Sequence, residues 1–599
     1  MSMSRGRKIA LFVAGSLLVL LVVGVIVIAL LVNAVRGSKP TIASNSVLVL
    51  RIEGDLPDFV PNDPLAEAFG GKSDSLTSLL WQIRKAKVDK RISGLLLDVR
   101  MTGLGWGRSE ELRDAVIDFR ASGKPAYAYM EYGANKEYFV ASACEKVYVA
   151  PPGDLYINGL AAEVMFFRGS LDKLGVYPDF YQIGQYKNAP DQYTRKNMSD
   201  AHKEVLNSML DDLFNHFVTA IATARKKSPE EIKAIIDNAP ISSKQAKEAG
   251  LIDDAMYEDQ VRNELKKRLG YKDTDTLKLT SGSAYREVDP GELGLNDGEK
   301  IAIVYASGVI GGGSSNNSPY GEQTVGSETM IKAINDAAAD KDIKAIVIRV
   351  DSPGGSSYAS DVIWHAIENA KAKKPVVISM GDVAASGGYY IACNANKVIA
   401  EPSTITGSIG VFAGKPVLKG FYDWIGVSNE YVMRGKNAGL FRETEKFTDD
   451  ERKKFEEMVN STYYDEFIPK VAVGRNRDKE YIHSIAQGRV WMGDQAKDKG
   501  LVDDFGGLEK AIDEAKILAK LPLDKDVHRV IFPAPRTFLQ QFFNRGGDDA
   551  AASARLQQQR AVFAALPEDT RRTLRYAAMM DQMKNGEVMA MMPFDLRIK

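Results

Sequence analysis

The sequence predicts an α/β protein built from two tandem copies of one domain behind an N-terminal transmembrane helix. Three observations carry that expectation. The chain is similar to itself at a spacing near 250 residues, each copy alternates strand-like and helix-like patterns, and one long uncharged apolar run lies near the N-terminus. A repeat of this length is a duplicated domain, not a solenoid, whose units run to about 20–50 residues.

Four pairs of segments define the repeat. Ile92-Ser-Gly-Leu-Leu-Leu-Asp-Val99 matches Ile343-Lys-Ala-Ile-Val-Ile-Arg-Val350, and Lys146-Val147 with Pro151 matches Lys397-Val398 with Pro402. Lys187-Asn188-Ala189 matches Lys436-Asn437-Ala438, and Gly250-Leu251-Ile252-Asp253 matches Gly500-Leu501-Val502-Asp503. The copies are expected at 46–289 and 299–534, joined by a polar, turn-rich linker at 290–298. In the second copy, Ile301–Tyr305, Ile343–Val350 and Pro375–Met380 read as buried strands. Glu328–Lys341 and Ser360–Lys373 between them carry helical periodicity, with Met330, Ile331 and Ile334 on one face. Such alternation implies largely parallel sheets. Residues 535–599 form a tail in which the Met-rich stretches (Met579, Met580, Met583, Met589, Met591, Met592) predict packing along amphipathic helices.

Residues 1–45 are expected to be a membrane anchor and its linker. Ile9 to Val32 carries no charge, and it exceeds both the roughly 20 residues a helix needs to span a bilayer and the roughly 7–15 apolar residues of a cleavable signal peptide. Val32-Asn33-Ala34 resembles a cleavage site only weakly. Arg5, Arg7 and Lys8 place the short side in the cytoplasm and the body across the membrane. Arg36 and Lys39 on the other flank weaken this bias without reversing it.

Composition removes several classes. Lys plus Arg number 78 against 79 Asp plus Glu, a net charge of −1. That excludes a nucleic-acid binder working through bulk charge. Hydrophobic residues at 45% and charged residues at 26% exclude a wholly disordered chain. Cys144 and Cys393 are too few for a disulfide scaffold or a four-cysteine zinc site. His202, His216, His365, His483 and His528 are scattered, so no metal is expected.

Two loops point to chemistry. Arg349-Val-Asp-Ser-Pro-Gly-Gly-Ser356 follows a strand, and Gly354 and Gly355 present backbone N–H groups free of side-chain cover, suited to an oxyanion hole. Any Pro-Gly-Gly is also a plain tight turn. In Met380-Gly-Asp-Val-Ala-Ala-Ser-Gly-Gly-Tyr-Tyr390, a strand is expected to end at Met380 and a helix to begin at Ser386. The helix dipole there favours developing negative charge, although serine is equally a common N-cap. No histidine motif accompanies Ser386, so a base must come from elsewhere. A lysine serves when burial lowers its pKa, and the repeat-mates Lys187 and Lys436 are the two candidates.

With Thr406-Gly-Ser-Ile-Gly410, the Asp351-Ser-Pro-Gly-Gly-Ser356 and Ala385-Ser-Gly-Gly-Tyr389 motifs make the chain resemble the signal peptide peptidase A (protease IV) family in its long tandem form, from the apolar run to about Pro533. The resemblance implies a Clp-protease/crotonase-like fold in each copy and a serine–lysine dyad without a cofactor. Ser386 would be the nucleophile and Lys187, in Gly184-Gln-Tyr-Lys-Asn-Ala189, the base supplied by the first copy. Lys436 stands as the alternative base, in Arg434-Gly-Lys-Asn-Ala-Gly-Leu440, where some long members have lost their lysine. Short members complete the pair between subunits, so a tandem chain is like two fused subunits. The repeat sets Asn135, which is no nucleophile, opposite Ser386, and Met101-Thr-Gly-Leu-Gly105 opposite the Pro-Gly-Gly loop. The first copy therefore keeps only Lys187. The resemblance further implies peptide substrates left from cleaved signal peptides, a bowl-shaped homotetramer, and a single-pass location in the bacterial inner (cytoplasmic) membrane with the catalytic body on the periplasmic side. Val350, Ile409 and Val411 are expected to line a groove for small or apolar side chains. Two rival readings are a crotonase-like acyl-coenzyme A enzyme and an inactive membrane scaffold.

Overall fold

The computed structural model describes residues 41–60, 74–315, 323–533 and 586–592, with isolated positions elsewhere. The apolar run from Ile9 to Val32 lies outside the described residues except for Gly15 and Val23. Among the described residues no helix is long and apolar enough to cross a membrane.

Each copy is built on a parallel sheet with the same strand order. In the first the order is Asp254–Ala255, Lys146–Val149, Ala126–Met130, Ile92–Thr102, Ser46–Gly54 and Leu279–Ser281. In the second, Asp504–Phe505, Lys397–Ala400, Val376–Ala385, Ile343–Ser352, Lys300–Ser307 and His528–Phe532 repeat it, and Ile405–Gly407 extends the upper half of Val376–Ala385. Helices cover both faces of a parallel sheet, so its strands are continuously apolar. Accordingly Leu95, Leu96 and Leu97, like Ile346, Val347 and Ile348, are fully buried. The duplication extends to polar detail. Tyr138 donates to the Leu251 carbonyl at 2.6 Å and Tyr389 to that of Leu501 at 2.9 Å. Asp253 accepts from Val147 N–H and pairs with Arg225, and Asp503 does the same with Val398 and Arg475.

Several elements differ from the sequence expectation. The helices run Ser327–Ala339 and Ser357–Lys371. The strand expected to end at Met380 continues to Ala385, because its pairing with Ile343–Ser352 shifts register beyond Val350 and its last residues then pair with Ile405–Gly407. Met589–Met591, expected on a helix, is a strand. Its alternation of buried faces has period two, and a three-residue window does not separate that from a helical stripe.

The copies are locked by buried charge. The Arg349 guanidinium, 1% exposed, makes paired bonds of 2.9 and 3.0 Å to Asp58 and one of 2.6 Å to Glu111, both from the first copy. Glu111 also accepts from Leu508 N–H at 2.6 Å. Asp382 of the second copy accepts from the N–H groups of Gly105 and Arg108 at 3.0 and 2.7 Å and pairs with the Arg108 side chain. An acidic side chain from one copy thus caps the helix Trp106–Arg120 of the other. A second sheet also crosses between copies, in the order Thr324–Gly326, Val309–Gly311, Gly354–Ser356, Met589–Met591, Phe412–Val417 and Tyr177–Gln182. Its last strand comes from the first copy and pairs antiparallel, Phe412 opposite Gln182 and Val417 opposite Tyr177.

Candidate active site

Ser386 sits where the strand Val376–Ala385 gives way to the helix Gly387–Ala392. Its backbone is at φ 53°, ψ −110°, a conformation that costs a non-glycine residue about 1–3 kcal/mol. Two bonds hold it there: Ser386 N–H donates to the Gly407 carbonyl at 2.8 Å, and Tyr390 N–H donates to the Ser386 carbonyl at 2.7 Å. The side chain caps no helical N–H, so the N-cap reading of this serine fails and the hydroxyl is available. Oγ lies 2.8 Å from Lys187 Nζ and 3.3 Å from the Gly410 carbonyl.

Lys187 is delivered by the strand that crosses between copies. Beyond Gln182 the ladder continues, with Ile183 N–H donating to the Val411 carbonyl at 3.0 Å and Tyr186 N–H to that of Gln487 at 3.0 Å. The loop then lies tightly on Gln487-Gly488. A methyl group on Gly184 (φ 97°) would stand 2.3 Å from the Gln487 backbone, and one on Gly488 (φ 77°) 2.6 Å from Lys187 itself. Both glycines therefore permit the approach. Lys187 is fully buried, and Nζ also lies 3.1 Å from both the carbonyl and the hydroxyl of Ser408. Desolvation pulls its pKa well below the usual amine value, and no carboxylate acts to restore it. Lys85 is an instructive contrast. It is equally buried, but its amine is caged by the carbonyls of Tyr285, Arg286 and Val288, faces no nucleophile, and is lowered to about 8.

The remaining expected residues are placed as follows. Lys436, the alternative base, has a side chain 77% exposed and pairs with Asp450 at 3.0 Å, away from Ser386. Gly354 N–H donates to Ser352 Oγ at 3.1 Å, and a methyl group on Gly354 (φ 99°) would stand 2.6 Å from the amide nitrogen of Gly387. The loop thus packs directly on the residue that follows the serine. Gly355 pairs with Ile310 on one side and Ala590 on the other. Asn135 is buried and donates to the Gly159 carbonyl at 2.8 Å. Val350, Ile409 and Val411 do not line a groove. They are at most 1% exposed and belong to the core of the second copy, Val350 on a strand of the parallel sheet and Ile409 and Val411 in the connection that follows Ile405–Gly407. Cys144 and Cys393 are buried and unpaired, with thiols pushed up to about 12 by desolvation. His216, His483 and His528 are engaged by Glu110, Tyr463 and the Asn296 carbonyl. Among the described residues no group of three or more His, Cys, Asp or Glu side chains is arranged to hold a metal.

Three contributors escaped sequence reasoning. Ser408 lies in the Thr406–Gly410 motif but carried no assigned role. The Gly387 amide was foreshadowed only by the small residues after Ser386. Gln487-Gly488 has no local signal, since it lies about 300 residues from the lysine it supports.

Comparison with known proteins fixes the class. The family model described as Clp protease matches residues 322–406, the segment that carries the Pro-Gly-Gly loop and Ser386. This is a serine peptidase on a Clp-protease-like α/β fold, duplicated in tandem. The model of peptidase family S49 matches twice, at residues 118–272 and 368–522, and the chain belongs to that family. Similar proteins include a chloroplastic serine protease SPPA of Arabidopsis thaliana, 36% identical over 83% of this chain and 73% of its own. Protease 4 of Salmonella typhi is 33% identical over 89% of this chain and 87% of its own, and Protease 4 of Haemophilus influenzae 31% identical over 84% of each.

Proposed function

We propose that the chain is a membrane-anchored endopeptidase with a Ser386–Lys187 dyad, acting on cleaved signal peptides and similar short apolar peptides. The observation that carries the dyad is the 2.8 Å contact between Ser386 Oγ and a lysine that is buried without a carboxylate partner. A neutral amine has two N–H groups and one lone pair. Ser408 takes the two donors through its carbonyl and its hydroxyl, which turns the lone pair to Ser386 O–H. As Oγ bonds to the scissile carbonyl carbon, the hydroxyl proton passes to Nζ. The carbonyl oxygen becomes an oxyanion beside the amide of Gly387, against which the Gly354 loop packs; the Gly354 N–H expected for this role is engaged by Ser352 Oγ. Collapse breaks the peptide bond, and Nζ returns the proton to the leaving amine. Water then adds to the ester carbon, losing its proton to Nζ, and Oγ leaves with that proton, restoring the serine.

The anchor at Ile9–Val32 rests on the length of its uncharged run and its orientation on Arg5, Arg7 and Lys8, while the substrate class, the place at the bacterial inner membrane and assembly into a homotetramer rest on the sequence resemblance. The named relatives support proteolysis. A serine-reactive fluorophosphonate probe and a reporter peptide test the dyad. Labelling and turnover disappear in Ser386→Ala, turnover disappears in Lys187→Ala, and both persist in Lys436→Ala. Turnover kept by Lys187→Ala and lost by Lys436→Ala overturns the assignment.

A further inference from the structure

Beyond Ile183 the loop that carries Lys187 is held by a turn of the second copy. The turn Ala486–Arg489 closes on a bond from Arg489 N–H to the Ala486 carbonyl at 2.9 Å, and both of its central residues are left-handed, Gln487 at φ 53° and Gly488 at φ 77°. Positive φ at both centres is the pattern of a type I′ turn, which favours Gly, Asn or Asp there. Gly488 suits the turn and Gln487 does not. The turn reaches the lysine from two sides. The Gln487 carbonyl accepts from Tyr186 N–H at 3.0 Å, one residue before Lys187. Gly488 N–H donates to the Ile409 carbonyl, and Ser408 N–H donates to the Arg489 carbonyl, each at 2.7 Å. The same turn therefore fixes Ser408 (φ 50°), whose carbonyl and hydroxyl each lie 3.1 Å from Nζ. On the outer side Arg489 pairs with Glu204 of the first copy, which also accepts from Tyr186 O–H at 3.1 and 3.2 Å. On the inner side Gln487 N–H donates to the Tyr463 hydroxyl at 3.3 Å. Tyr463 is fully buried in the core of the second copy. It stands on a π-helical turn, Thr462–Phe467, between the helices Asp449–Ser461 and Ile468–Gly474. Such turns are rare and frequent at functional sites. The phenol oxygen also lies 3.2 Å from His483 Nδ1, to which it donates when the imidazole carries its proton on Nε2. Burial pushes the phenol's pKa up, so the hydroxyl stays intact while Lys187 titrates.

We infer that Tyr463 is a positioning residue of the dyad: its hydroxyl keeps the Gln487-Gly488 turn closed on the Lys187 loop, and the closed turn keeps Nζ dry and against Ser386. The inference rests on the peptidase reading for the reaction, but not for the seat of the lysine. When the turn opens, the amine meets water and keeps its proton, and the dyad is idle. A loop closed only about one time in ten lowers kcat about tenfold. KM stays as it is, because what is lost is an interaction needed in the transition state.

The test is Tyr463→Phe in the full chain, which removes one oxygen and keeps the ring. Tyr138→Phe is the control, since it removes an equally buried hydroxyl that donates to the Leu251 carbonyl at 2.6 Å in the first copy. With a reporter peptide, Tyr463→Phe is expected to lose about tenfold in kcat at unchanged KM and to reach its kcat/KM plateau at a higher pH. Tyr138→Phe keeps both. Gln487→Gly in the Tyr463→Phe chain should recover kcat and the pH midpoint, because glycine takes positive φ about as readily as negative. Unchanged kcat and midpoint in Tyr463→Phe, equal changes in Tyr138→Phe, or no recovery with glycine overturns the inference. Urea unfolding between about pH 6 and 10 reads the same seat without turnover. A lysine that keeps its proton in the folded chain flattens the rise of stability with pH, so Tyr463→Phe should show a smaller slope than the unsubstituted chain. If the unsubstituted chain cleaves no peptide, the peptidase reading fails; a smaller slope then upholds the role of Tyr463, and an equal slope overturns it.

Discussion

Replacing Lys187 by methionine keeps the length of the side chain and removes its nitrogen. Nζ makes three polar contacts, one to Ser386 and two to Ser408, in a site with no exposure and no carboxylate. Loss of a general base costs about 10²–10⁴ in rate, or about 2.7–5.5 kcal/mol of barrier. Stability moves in the opposite sense at neutral pH. The unfolded lysine holds its proton up to about its ordinary pKa of 10.5, whereas burial strips the native one at a pH well below it. Between those two pKa values the unfolded state binds the extra proton, so stability of the unsubstituted chain rises with pH, by up to about 1.4 kcal/mol per unit. Lys187→Met lacks this slope. Its advantage is fully present near the native pKa and shrinks as pH climbs toward 10.5. The offset is the loss of two bonds to Ser408, about 0.5–1.5 kcal/mol each. Urea unfolding of both chains between pH 6 and 10, alongside reporter-peptide turnover, reads the two effects together. Equal pH slopes in the two chains would refute a neutral Lys187, and so would undiminished turnover in the methionine variant.

Activity of the unsubstituted enzyme should rise with pH through the lowered pKa of Lys187 and then level off, since only the unprotonated amine accepts a proton; a kcat/KM profile that falls over this range contradicts the dyad. Gly488→Ala pushes a methyl group onto Lys187 and is expected to cost at least tenfold in kcat while leaving fluorophosphonate-independent folding measures, such as far-ultraviolet dichroism, intact. Arg349→Leu leaves Asp58 and Glu111 buried without their cation, and thermal unfolding should show a loss of about 3–5 kcal/mol. Ser386→Gly relieves the φ 53° backbone and should be more stable than Ser386→Ala by about 1 kcal/mol.

The repeat was legible because duplication leaves matched pairs such as Asp253 and Asp503 in the same structural duty. Ser386 and Lys187 were legible through short motifs and the resemblance those motifs carry. What escaped depends on contacts distant in sequence. The support of Lys187 by Gln487-Gly488 joins segments about 300 residues apart, and no local pattern announces it. Val350, Ile409 and Val411 lie in apolar stretches beside the motifs, and an apolar stretch does not say whether it faces a groove or the core. The methionines were assigned a helical period, although tertiary pairing with Gly354–Ser356 and Phe412 makes Met589–Met591 a strand. Local propensity yields to a vacant sheet position of this kind.

The ladder between Tyr177–Gln182 and Phe412–Val417 makes the position of Lys187 discrete. A strand moves along its partner only in whole residues of about 3.3 Å, and a single step also turns each side chain to the opposite face. The separation of Nζ from Oγ is therefore not a distance that small changes tune. A one-residue slip of this ladder carries the amine out of reach altogether, so alterations that shift its register should sort into working and silent enzymes with few grades between.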